Sequence, residues 1–195
     1  MKIFALTGKT GAGKSTVATH LSQMGCFIID GDKIARQITD KGKPALSLLS
    51  DAFGSDILLP DGTLNRSLLA QRAFSSEENT ALLNSITHPL IKQEFVRETE
   101  FAEKNGYRTA IIDAAAILES DCKDLCSKVI VVHAPEETRL KRILQRDSIT
   151  EEAALTRIKA QKSDDYYLSQ ADVIINNFSP YNLVDQLGKI KELIE

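Results

Sequence analysis

Residues 2–16 read KIFALTGKTGAGKST, and the fold class turns on how that stretch divides. Residues 2–6 (KIFAL) are a short apolar, β-prone run, the pattern of a buried strand. Gly8 to Gly13 supply a glycine-rich turn. From Lys14 the pattern is helical: Val17, Leu21 and Met24 fall at i, i+4 and i+7, one stripe of a 3.6-residue period. Gly25 suits the left-handed position after a helix end. Residues 26–29 (CFII) predict a second buried strand, ending at Asp30. Strand, helix and strand within about 30 residues make a βαβ unit with parallel strands.

Farther along, residues 33–104 change character. Helical periodicity there is broken by turn signals at Gly42, Gly54, Asp61-Gly62 and His88-Pro89, and Ser75 with Glu78 reads as a capping box. Strand patterns resume at Thr109–Asp113, Lys128–His133 and Asp172–Ile175. Pro135 with Glu136 and Glu137 opens a helix to about Arg146. Thr150 with Glu151 and Glu152 opens another, and Ser179-Pro180 caps a terminal helix through Leu193. The expected architecture is a three-layer α/β/α core around a five-stranded parallel sheet, interrupted by a helical insertion.

Composition narrows the function. In 195 residues, Lys+Arg total 24 and Asp+Glu 27, a net charge of −3. That balance argues against nucleic-acid polymers and anionic membranes as partners, since both call for a basic excess. No apolar run approaches the roughly 20 residues of a membrane span, and no secretory leader pattern is visible. The three cysteines, Cys26, Cys122 and Cys126, fit no zinc spacing and read as thiols of a reducing cytoplasm.

Gly8-Lys9-Thr10-Gly11-Ala12-Gly13-Lys14-Ser15 matches G-x-x-x-x-G-K-[ST]. Glycines let backbone N–H groups curl around phosphate oxygens, and the following helix points its N-terminus at the anion. Lys14 would reach the β- and γ-phosphates, and the Ser15 hydroxyl would ligate Mg²⁺. Ligands of parallel α/β sheets bind outside the carboxyl ends of the strands. Asp30, Asp32 and Asp113 stand there: Asp113 suits metal binding, and Asp32 suits orienting an acceptor hydroxyl or taking its proton. Arg139, Arg142 and Arg146 share one helix face. The ordinary fate of such residues is a solvated charged face. Beside a phosphate loop they are candidates to neutralise a transferred phosphoryl group, Arg146 foremost. His20 reads as a surface residue and His133 as structural. His88 is a candidate phosphate contact.

The sequence resembles the dephospho-CoA kinase family over nearly its whole length. The resemblance is carried by ALTGKTGAGKST (5–16), IIDGDKIAR (28–36), FG…DGTLNR (53–66), ITHPLI (86–91), IIDAAAILE (111–119), RLKRILQRD (139–147) and ADVIINN (171–177). It implies a P-loop kinase core (about 1–32, 105–141 and 169–195), a helical CoA-binding insertion (about 33–104) and a lid (about 142–168). The implied reaction moves the γ-phosphate of ATP to the ribose 3′-hydroxyl of dephospho-CoA, giving coenzyme A and ADP. ATP and Mg²⁺ are the implied cofactors, and a monomer or weak homo-oligomer the implied state. ATP would lie on Gly8, Thr10, Gly11, Ala12, Gly13, Lys14, Ser15 and Thr16, with Arg142 and Arg146 closing over it. The acceptor would meet Asp32, Arg36 and His88. Asp32, Lys14 and Arg146 would be catalytic, and Ser15 and Asp113 would hold the metal. Lys9 stands where a second glycine is usual, Ala114-Ala115-Ala116 replaces Val-Pro-Leu, and Phe178 sits where glycine is frequent. The segment Ser163-Asp164-Asp165-Tyr166 lacks a basic residue often found there. Two other readings remain at this point: a P-loop kinase for a nucleoside or small metabolite, and a non-catalytic nucleotide-binding switch.

Overall fold

The structure, a computed structural model, describes residues 1–194. Among them, five strands form one parallel sheet. β1 (Lys2–Gly8) lies at its centre, β2 (Phe27–Asp30) and β5 (Val173–Asn176) at its edges, and β3 (Thr109–Asp113) and β4 (Lys128–His133) between, in the order β2-β3-β1-β4-β5. Leu6 pairs with Asp113 on one side and Ile130 on the other, and Asp30 also pairs with Asp113. The helices are α1 (Lys14–Gln23), α2 (Gly31–Gln37), α3 (Pro44–Phe53), α4 (Arg66–Ala73), α5 (Glu77–Lys104), α6 (Glu136–Asp147), α7 (Glu151–Lys159), α8 (Asp164–Leu168) and α9 (Leu183–Ile194). None of them is long and apolar enough to cross a membrane.

Phe4, Ala5, Leu6 and Thr7 are successive and each at most 3% exposed. Successive strand side chains point to opposite faces, so both faces of the sheet are covered. Val17 and Leu21 of α1 and Leu187 and Ile190 of α9 pack on Phe4, Leu6, Ile111 and Ile130. Strand order reverses direction at β1, whose neighbours β3 and β4 come later in the chain on opposite sides. The carboxyl end of β1 is therefore the topological switch point, the ordinary ligand crevice of such sheets. The glycine-rich turn begins there.

The contacts divide the chain into two compact units: residues 1–30 with those from Glu98 onward, and Gly31–Arg97. The first holds the sheet. The second is helical, with Leu49, Phe53, Ile57, Leu69 and Ala73 at its core. Its Asp61-Gly62 turn forms as expected, with the Leu59 N–H donating to the Thr63 carbonyl at 2.8 Å.

Four local expectations are corrected. His88-Pro89 does not break the chain: α5 runs 28 residues with Pro89 inside it. Proline deletes one hydrogen bond and costs about 3 kcal/mol, which the other turns of so long a helix absorb. The α5 cap is Ser76, not Ser75: Ser76 Oγ accepts the Asn79 N–H at 3.2 Å, while Ser75 Oγ donates to the Arg72 carbonyl. α9 starts at Leu183, not beside Pro180, with Asn182 Oδ1 accepting the Val184 N–H at 2.9 Å. β5 begins at Val173 because the Asp172 carboxylate itself takes the Val129 N–H at 2.8 Å.

Candidate active site

The phosphate loop leaves β1 at Gly8 and enters α1 at Lys14. A Cβ at Gly8 would sit 2.5 Å from the Val132 carbonyl oxygen, and one at Gly11 would sit 2.6 Å from that of Arg139. Gly11 and Gly13 also hold φ near +79° and +92°, the left-handed region that favours glycine. The turn is closed by the Ala12 N–H on the Lys9 carbonyl at 3.0 Å. Among the described residues no side chain caps α1, and its first turn has no acidic residue. Its N–H groups and positive end are therefore available to an anion. Ser15 and Thr16 are exposed at this helix head.

Lys14 Nζ bonds Asp113 Oδ1, and both side chains are mostly buried. Parallel register carries Asp113 to the end of β3, between β1 and β2. The pair joins the loop lysine to the strand-end acid singled out for metal binding.

Behind the loop lies a brace. Arg142 donates through NH1 to the carbonyls of Gly11 (3.3 Å) and Ala12 (3.1 Å), and through NH2 to that of Asn177 (2.8 Å). Asn177 Nδ2 donates to the Ala12 carbonyl at 2.8 Å. Four bonds thus hold loop carbonyls and the loop after β5 together. Engaging these carbonyls favours a loop whose N–H groups are turned the other way, toward an anion. Asn177 went unnoticed as a functional residue in the sequence; its only signal there was the segment ADVIINN.

The three arginines of α6 do not share one environment. Arg139 is 1% exposed, contrary to a solvated face. Arg142 lies on the loop. Arg146 is 62% exposed, and its guanidinium grips Asp147 through Nε (2.6 Å) and NH2 (2.9 Å). Asp147 also accepts Arg157 NH1 at 2.8 Å. The bonds from Arg146, then the charges of Arg146 and Arg157, hold the Asp147 carboxyl below its ordinary range. A depressed carboxyl pKa stabilises the fold above the unfolded value and loses that contribution as pH falls through the folded one. Asp147→Asn is therefore expected to lower Tm slightly near pH 7, with the gap closing below about pH 4. Paired thermal melts at the two pH values check this, and a gap that persists in acid contradicts it. High salt is expected to shrink the effect.

Asp32 and Arg36 stand four residues apart on α2, both exposed, and His88 lies half-buried within α5. The extended chain ends at Asp30, and Asp32 sits in the first turn of α2, so the two acids do not lie on one strand face. His20 is half-buried, Nδ1 lying 2.8 Å from the Thr16 carbonyl. His133 stacks edge-on against Phe178 at 5.8 Å. Lys9 does not turn toward the crevice: its ammonium lies 3.0 Å from Asp164 Oδ1.

A family model described as dephospho-CoA kinase matches residues 2–182. A dephospho-CoA kinase of Corynebacterium glutamicum is 45% identical over 172 residues, 88% of this chain and 86% of that protein. The chain belongs to the dephospho-CoA kinase family. Among solved structures, the dephospho-CoA kinase of Campylobacter jejuni superposes with a TM-score of 0.61 at 29% identity, covering 100% of this chain and 97% of its own. TT1252 from Thermus thermophilus superposes at 0.80 with 24% identity, covering 98% and 95%, a likeness of fold. Dephospho-CoA kinases are ATP-dependent phosphotransferases, and the parallel sheet with its phosphate loop at the switch point is the P-loop kinase architecture expected of one.

Proposed function

We propose that this chain transfers the γ-phosphate of ATP to the ribose 3′-hydroxyl of dephospho-CoA, giving coenzyme A and ADP. The observation that carries the proposal is the Lys14–Asp113 pair at the head of an uncapped helix, at the sheet's switch point. Family membership supplies the acceptor.

The triphosphate rests on residues 8–16, its oxygens on loop N–H groups. Lys14 exchanges part of its bond with Asp113 for the β- and γ-phosphates, where negative charge spreads as the phosphoryl group moves. Arg142 and Asn177 keep the loop in shape. Asp32 orients the acceptor hydroxyl or takes its proton, with Arg36 and His88 on the acceptor side. Arg146 reaches ATP only by leaving Asp147, as part of the segment at about 142–168 closing over the nucleotide and excluding water. Ser15 and Asp113 are oxygen donors, the class Mg²⁺ prefers, and two such groups suit an ion held mainly by phosphate oxygens and water. Bound with ATP, Mg²⁺ neutralises phosphate charge.

The proposed setting is the cytoplasm, as a monomer or weak homo-oligomer. Burial pushes the Cys26 thiol up to about 11 and the Cys126 thiol up to about 12, so neither is a reactive thiolate at neutral pH. An ADP-release assay tests the function with dephospho-CoA, a nucleoside, a small hydroxylated metabolite and no acceptor. ADP release that needs dephospho-CoA is expected. Release with another acceptor alone, or with none of them, contradicts the proposal.

A further inference from the structure

Two consecutive loop residues are tied to one stretch of chain about 150 residues away. The Thr10 N–H donates to Gln161 Oε1 at 2.9 Å, and Lys9 Nζ lies 3.0 Å from Asp164 Oδ1. The Lys9 side chain is 11% exposed, so its ammonium is directed into the protein. Asp164 opens α8, whose start Ser163 caps by accepting the Tyr166 N–H at 3.2 Å.

Beneath this contact lies Arg139. Its Nε donates to the Ala134 carbonyl at 3.0 Å, but NH1 and NH2 are buried without a hydrogen bond among the described residues. Asp164 Oδ1 is 3.9 Å from Arg139 NH2 and likewise makes no well-angled hydrogen bond. One lid carboxylate therefore faces two cations, one from the phosphate loop and one fully buried. A cavity of about 10 Å³ beside them, lined by Lys9, His133, Asp164 and Tyr167 among others, has room for at most a single water. No phosphate or organic anion fits, so these charges serve one another. Buried charges are tolerated when paired, and removing one partner strands the rest.

Arg139 also touches the loop through its backbone, directly against Gly11. The loop is thus held at Lys9, Thr10 and Gly11 by one connected set: Gln161, Asp164 and Arg139. We infer that Asp164, acting through Lys9 and Arg139, and Gln161, acting through Thr10, are positioning residues that preset the first half of the phosphate loop for ATP. The inference rests on the loop being the ATP site. Every partner in these contacts is a protein group, so none of them needs a phosphate to form. Losing them should cost nucleotide affinity, through the ordering that binding would then have to supply, and leave the chemical step alone.

The test compares wild type with Asp164→Asn, Lys9→Met, the double variant and Gln161→Ala. The readouts are calorimetric Kd for ATP without acceptor, steady-state KM and kcat, and Tm. Asp164→Asn is expected to raise Kd and KM for ATP about tenfold with kcat within about twofold. Lys9→Met should raise both several-fold, Gln161→Ala should raise them about two- to threefold, and the double variant should bind no worse than Asp164→Asn, because the two residues act as one unit. Variants that lose Tm while Kd and KM stay at wild-type values overturn the inference, as do Lys9 and Asp164 effects that multiply. If Asp164→Asn does not fold, Lys9→Met decides, since it keeps Asp164 beside Arg139: an unchanged Kd overturns the inference. Wild type that binds no ATP overturns the proposed function and this inference together.

Discussion

Asp32→Asn is expected to lower kcat by roughly 10²- to 10⁴-fold, the range over which a positioned acid or base contributes. The substitution keeps the side chain's size and removes its charge and its capacity to accept a proton. Asp32 stands in the first turn of α2, outside the phosphate loop. The Kd for ATP should therefore remain within about twofold of wild type, and the loss should appear in kcat. Single-turnover phosphorylation of dephospho-CoA, with calorimetric ATP binding alongside, separates the two. Wild-type turnover in the variant would remove Asp32 from the chemistry. Loss confined to ATP affinity would make it a nucleotide contact.

Lys14→Met is expected to lower kcat/KM about 10²- to 10³-fold, the cost of losing one fixed donor at a centre of developing charge. The effect has two parts. Methionine cannot follow negative charge onto the transferring phosphoryl group. It also deprives Asp113 of its Lys14 bond, leaving a carboxylate charge beside the incoming phosphates. The second part predicts a partial rescue in the absence of Mg²⁺: Lys14→Met with Asp113→Asn should bind metal-free ATP more tightly than Lys14→Met alone, while kcat with Mg²⁺ stays low. Equal affinity for metal-free ATP in the single and double variants would show that Asp113 does not oppose the phosphates.

Local features were legible in the sequence and long-range ones were not. The run KIFAL, the glycines at 8, 11 and 13, and the stripe Val17, Leu21 and Met24 encode strand, turn and helix within a few residues, and the structure has each where it was expected. Asp113 was legible because it ends an apolar strand, and strand ends face the crevice. The brace on the loop carbonyls joins residues 35 to 165 positions apart, and no periodicity records such distances. Arg139, Arg142 and Arg146 look equivalent on a helical wheel. Their separate fates depend on what each turn of α6 meets: Ala134 and Asp164, then the loop, then solvent. Lys9 showed in the sequence only as a departure from glycine, because its partner Asp164 is brought to it only by the fold. Pro89 misled for the opposite reason, a strong local rule overridden by a long helix.

The most direct measurement is mass spectrometry of the product made from ATP, Mg²⁺ and dephospho-CoA, with fragmentation to locate the new phosphate. Coenzyme A carrying that phosphate on the ribose 3′-oxygen, formed in step with ADP, is the expected result. ADP without a phosphorylated acceptor, or a phosphate at any other position, would contradict it.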